Sequence, residues 1–326
     1  MSGILLIATG GTIACVPGDN GLLPGLNGEQ LLRLVDGDVS DVTCADLFNM
    51  DSSNIQPEEW KQIASAVKAA MGAYDAIVIT HGTDTMAYTA SMLTFLLQNI
   101  PIPVILTGSQ YPMVRPDSDG RQNLKNAIIA ARAMHGGVFI LFGSGIIRGC
   151  RAVKTRTTSL NAFESINAPY VGTVVDGRYI ALCEQPPLGA FQYYDDVVAD
   201  VALIKLVPGT SPVLLRNLLH SGVKGVVVEA FGLGGVHNFR RDHAESLKYL
   251  IENQVPVILT SQCLYEASSL NVYEVSSALK KAGVVSAFDM TTEAAVTKLM
   301  WVLANTRDME KIRLLMQMDL CGEISV

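Results

Sequence analysis

The sequence contains no Cys-x-x-Cys pair; its six cysteines, Cys15, Cys44, Cys150, Cys183, Cys263 and Cys321, are scattered along 326 residues. In a chain of this length they read as reduced thiols, not as a disulfide framework or a zinc site. No uninterrupted apolar stretch approaches the length that crosses a bilayer. Charge is sparse, at 17% of residues with a net charge of -7, and like charges never cluster into a run. Nucleic acid and anionic membrane surfaces are thereby excluded as main partners. The N-terminus lacks a basic segment, a long apolar segment and a small-residue cleavage site, so a cytoplasmic location is expected. The histidines His81, His135, His220, His237 and His243 lack metal-ligand spacing. Gly232-Leu233-Gly234-Gly235 and Gly143-Ser144-Gly145 miss the dinucleotide pattern, and there is no phosphate-binding Gly-Lys-Ser/Thr loop. Neither a metal nor an organic cofactor is expected.

What is present is a large apolar fraction, 49% of residues, enough for a sizeable core. The length exceeds what one compact core usually spans, so two domains are expected. Continuous Val/Ile/Leu runs mark strands at 3–8, 76–80, 103–107, 137–142, 202–207, 225–230 and 255–260. Between or after them, helical spacing predicts helices at 58–72, 85–98, 121–134, 212–221, 241–254, 291–305 and 308–318. Strands that do not alternate suit a parallel sheet covered on both faces. The fold class expected is α/β: a three-layer sandwich with a mostly parallel sheet in a larger N-terminal domain, plus a smaller α/β C-terminal domain. Proline, glycine and acidic residues near 184–200 interrupt the periodicity. The division expected is residues 1–190, a linker at 191–200, and residues 201–326.

Two threonine-rich turns carry the chemistry. Thr9-Gly10-Gly11-Thr12-Ile13 follows Ile4-Leu5-Leu6-Ile7-Ala8, and His81-Gly82-Thr83-Asp84-Thr85 follows Ala76-Ile77-Val78-Ile79. Open α/β sheets bind ligands at this end of their strands. A hydroxyl such as that of Thr12 needs a base and a site for the oxyanion before it can act as a nucleophile. The N–H groups of Gly10 and Gly11 are expected to be free for that oxyanion. Thr83 and Asp84 add a second hydroxyl and a carboxylate, although either would also serve as an N-cap for the helix that follows. Lys154, in Arg148-Gly149-Cys150-Arg151-Ala152-Val153-Lys154, is a candidate base if desolvated at a strand end. Asp51, Ser52 and Ser53, in Met50-Asp51-Ser52-Ser53-Asn54, offer donors and acceptors to a carboxylate-bearing ligand, or form an ordinary polar loop. Cys15 has no evident base and suits a small buried apolar role.

Taken together, Thr9–Ile13, Met50–Ser53, Val78–Ala90, Leu106–Gln110 with Ser118-Asp119-Gly120, Lys154, Phe231–Gly234 and Asp289–Thr291 resemble the bacterial-type L-asparaginase family, cytoplasmic type I branch. The resemblance implies hydrolysis of L-asparagine to L-aspartate and ammonia through an acyl-enzyme. It implies that Thr12 attacks the side-chain amide and that Thr83, Lys154 and Asp84 form a second triad. It also implies that Asp84 holds the substrate ammonium, that Asp51, Ser52 and Ser53 bind its carboxylate, and that the chain forms a homodimer or homotetramer. The likeness departs from many members where Leu22 replaces a loop tyrosine; Tyr273 lies at the place used instead by animal-type relatives. Val153 and Glu229 replace a threonine and an arginine of members that bind an asparagine effector, so such binding is expected to differ or be absent. Two other readings are an asparaginase-like component of a tRNA amidotransferase, which would carry an extra N-terminal region, and a non-catalytic asparagine-binding sensor.

Overall fold

The computed structural model describes residues 3–19, 21–272 and 274–325. The chain divides into two units, one ending at Asp195 and the other beginning at Asp196, within the segment 191–200.

In the first unit, the run from Ile4 continues to Gly10 as a strand buried at every position. Ala76–Thr80 and Pro103–Thr107 are buried along their whole length too. A strand covered on both faces has no solvent side to carry polar residues, hence the continuous apolar runs. Among the described residues these strands belong to an eight-stranded sheet in the order Arg178–Ala181, Gly172–Val175, Gly145–Arg148, Gly137–Phe142, Pro103–Thr107, Ala76–Thr80, Ile4–Gly10 and Val42–Met50. The last five in that order run parallel; the three at the opposite edge are antiparallel additions. Ile4 pairs with Val42 on one side and Ala76 on the other, and Ala8 pairs with Asp46 and Thr80. This register brings the C-terminal ends of the three strands to one edge, so the turns that follow them are neighbours.

Leu6, Val78, Ile105 and Phe139 pack on one face of the sheet with Leu124, Ala127 and Ile128 of the helix Gly120–Ala131. Against the opposite face, the helix Met86–Leu96 packs on Gly137–Phe142, and Pro57–Ala70 packs on that helix. The unit is thus three-layered, as expected. Val42–Met50 is a strand that the apolar pattern does not announce. It lies at the sheet edge, where only part of each residue is covered, and it lacks an apolar run. The hairpin of Cys15–Gly18 with Gly21–Pro24 is equally silent in the pattern; its Leu22 and Leu23 are exposed.

The second unit is smaller and α/β. Val201–Lys205, Gly225–Ala230, Val257–Ser261 and Val285–Ser286 form a parallel sheet in chain order. Val226, Val228 and Leu259 pack with Leu247 and Leu250 of the helix His243–Glu252. The helix Thr292–Asn305 is buried from Ala294 through Leu303, a stretch that includes Lys298. Among the described residues no helix is long and apolar enough to cross a membrane.

Candidate active site

Three turns, after Ile4–Gly10, Val42–Met50 and Ala76–Thr80, are tied to one another. The Thr9 hydroxyl donates to the Thr80 carbonyl at 2.7 Å, and the Gly11 N–H donates to the Met50 carbonyl at 3.0 Å. Gly11 sits at φ 80°, where a Cβ would lie 2.3 Å from the Gly82 nitrogen. A Cβ on Gly82 would lie 2.5 Å from Ser52 Oγ. Glycine is therefore required at both positions for the backbones to approach this closely. The expectation that the Gly11 N–H is free for an oxyanion is overturned: anchoring the first turn to the second strand uses that proton. Thr12, half-buried, opens the one-turn 3-10 helix Thr12–Ala14, directly after this contact.

Ser52 is buried and joins the second turn to the third. Its Oγ accepts the Asp84 N–H at 3.3 Å, and its carbonyl accepts the Thr85 hydroxyl at 2.7 Å. Asp51 serves its own turn, accepting the Ser53 hydroxyl at 2.7 Å and the Ser53 N–H at 2.8 Å. Those two bonds hold the Asp51 carboxyl below the usual carboxylate range. Ser53 is exposed at the rim.

Thr83 is buried and Asp84 exposed. Neither caps the following helix, because the N-cap position of Met86–Leu96 falls on Thr85. Their side chains meet Lys154, carried on the short strand Ala152–Lys154 that pairs antiparallel with Phe163–Ser165. Lys154 Nζ donates to Thr83 Oγ1 at 2.8 Å and to Asp84 Oδ1 at 2.6 Å. The lysine side chain is 17% exposed and that of Asp84 64%, so the pair meets solvent on its carboxylate side. A cationic donor touching a hydroxyl can stabilise that oxygen as it loses its proton.

The Cys15 thiol is pushed up by burial and by the Asp51 carboxylate, and its Sγ donates to the Gly11 carbonyl at 3.4 Å. That environment disfavours the thiolate. Asp119 braces the loop after Pro103–Thr107, accepting the N–H groups of Gln110 and Tyr111 at about 3.0 Å. Gln110 in turn donates its side-chain amide to the carbonyls of Thr157 and Ser159. Sequence reasoning passes over His81, Thr89 and Trp60, which form a buried chain of hydrogen bonds behind the Thr83 turn. Only the position of His81 inside the turn could point to it. Val153 is buried; Glu229 accepts the Thr292 hydroxyl at 2.7 Å and faces Lys205 at 3.6 Å. Tyr273 lies outside the described residues. Among the described residues no group of three His, Cys, Asp or Glu side chains could hold a metal ion.

Residues 3–187 match the family model described as asparaginase, N-terminal, and residues 200–316 match the glutaminase/asparaginase C-terminal domain. The chain belongs to the asparaginase family. Among its relatives in that family, the L-asparaginase of Thermococcus kodakarensis is 40% identical, over 99% of each chain. The solved structure of the thermostable L-asparaginase from that organism superposes with a TM-score of 0.94 at 39% identity, covering 100% of both chains. A component of the glutamyl-tRNA(Gln) amidotransferase of Thermococcus kodakarensis is 37% identical, over 99% of this chain and 76% of that relative.

Proposed function

We propose that this asparaginase-family chain hydrolyses the side-chain amide of L-asparagine to L-aspartate and ammonia through a threonine acyl-enzyme. The observation that carries the reading is the double donation of Lys154, to Thr83 and to Asp84. Thr12 Oγ attacks the amide carbon, and its proton passes to the nitrogen that leaves as ammonia. A C–O ester bond forms as the C–N bond breaks. Water then adds to the ester, giving the aspartate carboxylate and restoring the Thr12 hydroxyl. N–H groups at the start of the turn Thr12–Ala14 are of the kind a helix leaves without an internal partner, and suit the oxyanion.

Thr83 orients the amide or the attacking water, with Lys154 relaying the proton. The Asp84 carboxylate, open to solvent on one side, takes the substrate ammonium. Ser52 and Ser53 receive its carboxylate, and Asp51 shapes their turn by accepting from Ser53. Tyr273 enters by resemblance alone, in place of the loop tyrosine missing at Leu22. A Tyr273→Phe variant with unchanged kcat would remove it. The working form is a homodimer or homotetramer, with no cofactor, acting in the cytoplasm.

A coupled ammonia assay on asparagine and glutamine, run beside Thr12→Ala, tests the reading. Ammonia from asparagine, lost in the variant, is the expected result. Tight asparagine binding without turnover would favour a sensor, and ammonia released only with a partner protein would favour the amidotransferase role. Identity to the amidotransferase component, 37%, is below the 40% to the L-asparaginase.

A further inference from the structure

Behind the Thr83 turn lies a proton chain whose directions are fixed by chemistry. Trp60 Nε1 can only donate, and it donates to Thr89 Oγ1 at 2.9 Å. The Gly82 carbonyl can only accept, so the proton of the neutral His81 ring sits on Nδ1, which donates to it at 2.7 Å. Nε2 is then the ring acceptor, and it takes the Thr89 hydroxyl proton at 2.9 Å. His81 and Thr89 are at most 1% exposed, and Trp60 is 6% exposed. Burial pushes the imidazole down to about 4, so the ring is neutral wherever a near-neutral enzyme works. A charged ring would offer Thr89 a second donor and leave the hydroxyl proton without its acceptor.

The Gly82 carbonyl and the Thr83 N–H belong to one planar peptide group, so a donor that holds the first orients the second. Gly82 also packs against Ser52 and Gly11, whose atoms lie 2.5–3.2 Å from where a Cβ would stand, so its Cα has little room to shift in that direction. We infer that His81, held as its Nδ1–H tautomer by the Gly82 carbonyl and matched at Nε2 by the Thr89 hydroxyl, is a positioning residue that sets the Gly82–Thr83 peptide plane and thereby aims the Thr83 hydroxyl. The inference rests on the reading of Thr83 given under the proposed function. It assigns work to three residues that touch no reacting atom.

Two measurements test it. Nitrogen NMR of the imidazole in the intact protein reads the tautomer directly; Nδ1 protonated is expected, and Nε2 protonated overturns the inference. For catalysis, His81→Asn keeps an N–H near the position of Nδ1, His81→Gln reaches toward Thr89 without that donor, and His81→Leu only fills space. Expected is a kcat within about tenfold of the parent for His81→Asn and a loss of about 10²-fold for the other two, the cost of a small misplacement near the chemistry. KM should move less than kcat. Equal kcat in His81→Asn and His81→Leu, with both folded, would overturn the inference, since a merely structural role does not distinguish the two. Where a histidine variant does not fold, Thr89→Val serves: it leaves His81 Nε2 without its donor and should lower kcat, and an unchanged kcat in the folded variant counts against the proposal. The outcomes separate from those of the functional reading. If Thr12→Ala leaves turnover intact that reading falls, whereas a silent His81 beside an essential Thr12 removes only this inference.

Discussion

Lys154 Nζ lies 2.8 Å from Thr83 Oγ1 while the same nitrogen holds Asp84 Oδ1 at 2.6 Å, so one cation links a buried hydroxyl to an exposed carboxylate. Removing the cation leaves Thr83 without its proton partner and frees Asp84 into solvent. Lys154→Met is therefore expected to lower kcat by about 10²–10⁴-fold, the range of general acid–base losses. The fold should persist, because the lysine already reaches the surface through Asp84. Steady-state kinetics with circular dichroism checks both halves. A variant that turns over normally would remove Lys154 from the chemistry.

Gly11 and Gly82 bring the two threonine turns together by backbone contact. A methyl at Gly11 would stand 2.3 Å from the Gly82 nitrogen, on a backbone at φ 80°. Both faults act together, overpacking and a conformation that L residues rarely adopt. Gly11→Ala is expected to cost roughly 1–3 kcal/mol by overpacking alone, and to lower kcat as Thr12 and Thr83 are pushed apart. Urea midpoints and kcat, measured on the same preparation, decide the matter. A stable, fully active Gly11→Ala would mean that the turns do not need to touch.

Much of this architecture is legible in the sequence, and the exceptions have physical causes. Strands such as Ala76–Thr80 and Pro103–Thr107 declare themselves because burial on both faces demands continuous apolar residues. Val42–Met50, pairing on one side only, faces no such demand and leaves no signal. In the candidate site, Thr12 and Thr83 stand out in turns that follow apolar runs and Lys154 through the family resemblance, and the structure brings Lys154 to Thr83 at 2.8 Å. That the Gly11 N–H is already bonded to Met50 cannot be read from the sequence, because it depends on how two strand ends meet across about forty residues of chain. The same holds for the chain through Trp60, Thr89 and His81: Trp60 and Thr89 read as ordinary core residues, and His81 shows only its place in the turn, until packing joins them. Lys298, within a run of apolar helix residues, gives no hint that its partner lies at Glu323.

Glu293, near the start of the helix Thr292–Asn305, supplies a pH test. The residue as a whole is half-buried, but its carboxyl end is enclosed. Burial, with a smaller push from the Glu229 carboxylate, raises that carboxyl to about 7, against hydrogen bonds from the Glu293 backbone and the Thr291 side chain that favour the charged form. A carboxyl raised on folding stabilises the protein fully below its unfolded value, and the benefit fades as pH rises through the folded value. The native chain should therefore lose stability between about pH 4.5 and 7 through this group. Glu293→Gln removes the loss, so its gain over the parent should be small at pH 5 and reach roughly 2–3 kcal/mol at pH 8. Denaturation curves at the two pH values measure the difference. A gain independent of pH would show that Glu293 ionises freely in the folded state.

Lys298 and Glu323 are both fully buried, with Nζ 2.6 Å from Oε1. The ammonium spends its other protons on the carbonyls of Met316 and Met318, at 3.2 and 2.6 Å. The carboxylate accepts the N–H groups of Leu320 and Cys321 as well. Every strong polar group in the cluster is thus matched, and the segment after the helix Met309–Gln317 is folded around the lysine head. Taking away one partner leaves a buried charge uncompensated, which costs about 3–5 kcal/mol, whereas exchanging both for apolar residues is often nearly neutral. Lys298→Met alone should therefore destabilise strongly, and Glu323→Leu alone likewise. The double variant should recover part of the loss, though less than an isolated pair would, because the two methionine carbonyls and the Leu320 and Cys321 N–H groups then lose their partners. A double-mutant cycle by chemical denaturation gives the coupling, and strictly additive single losses would show that the two charges do not sense each other.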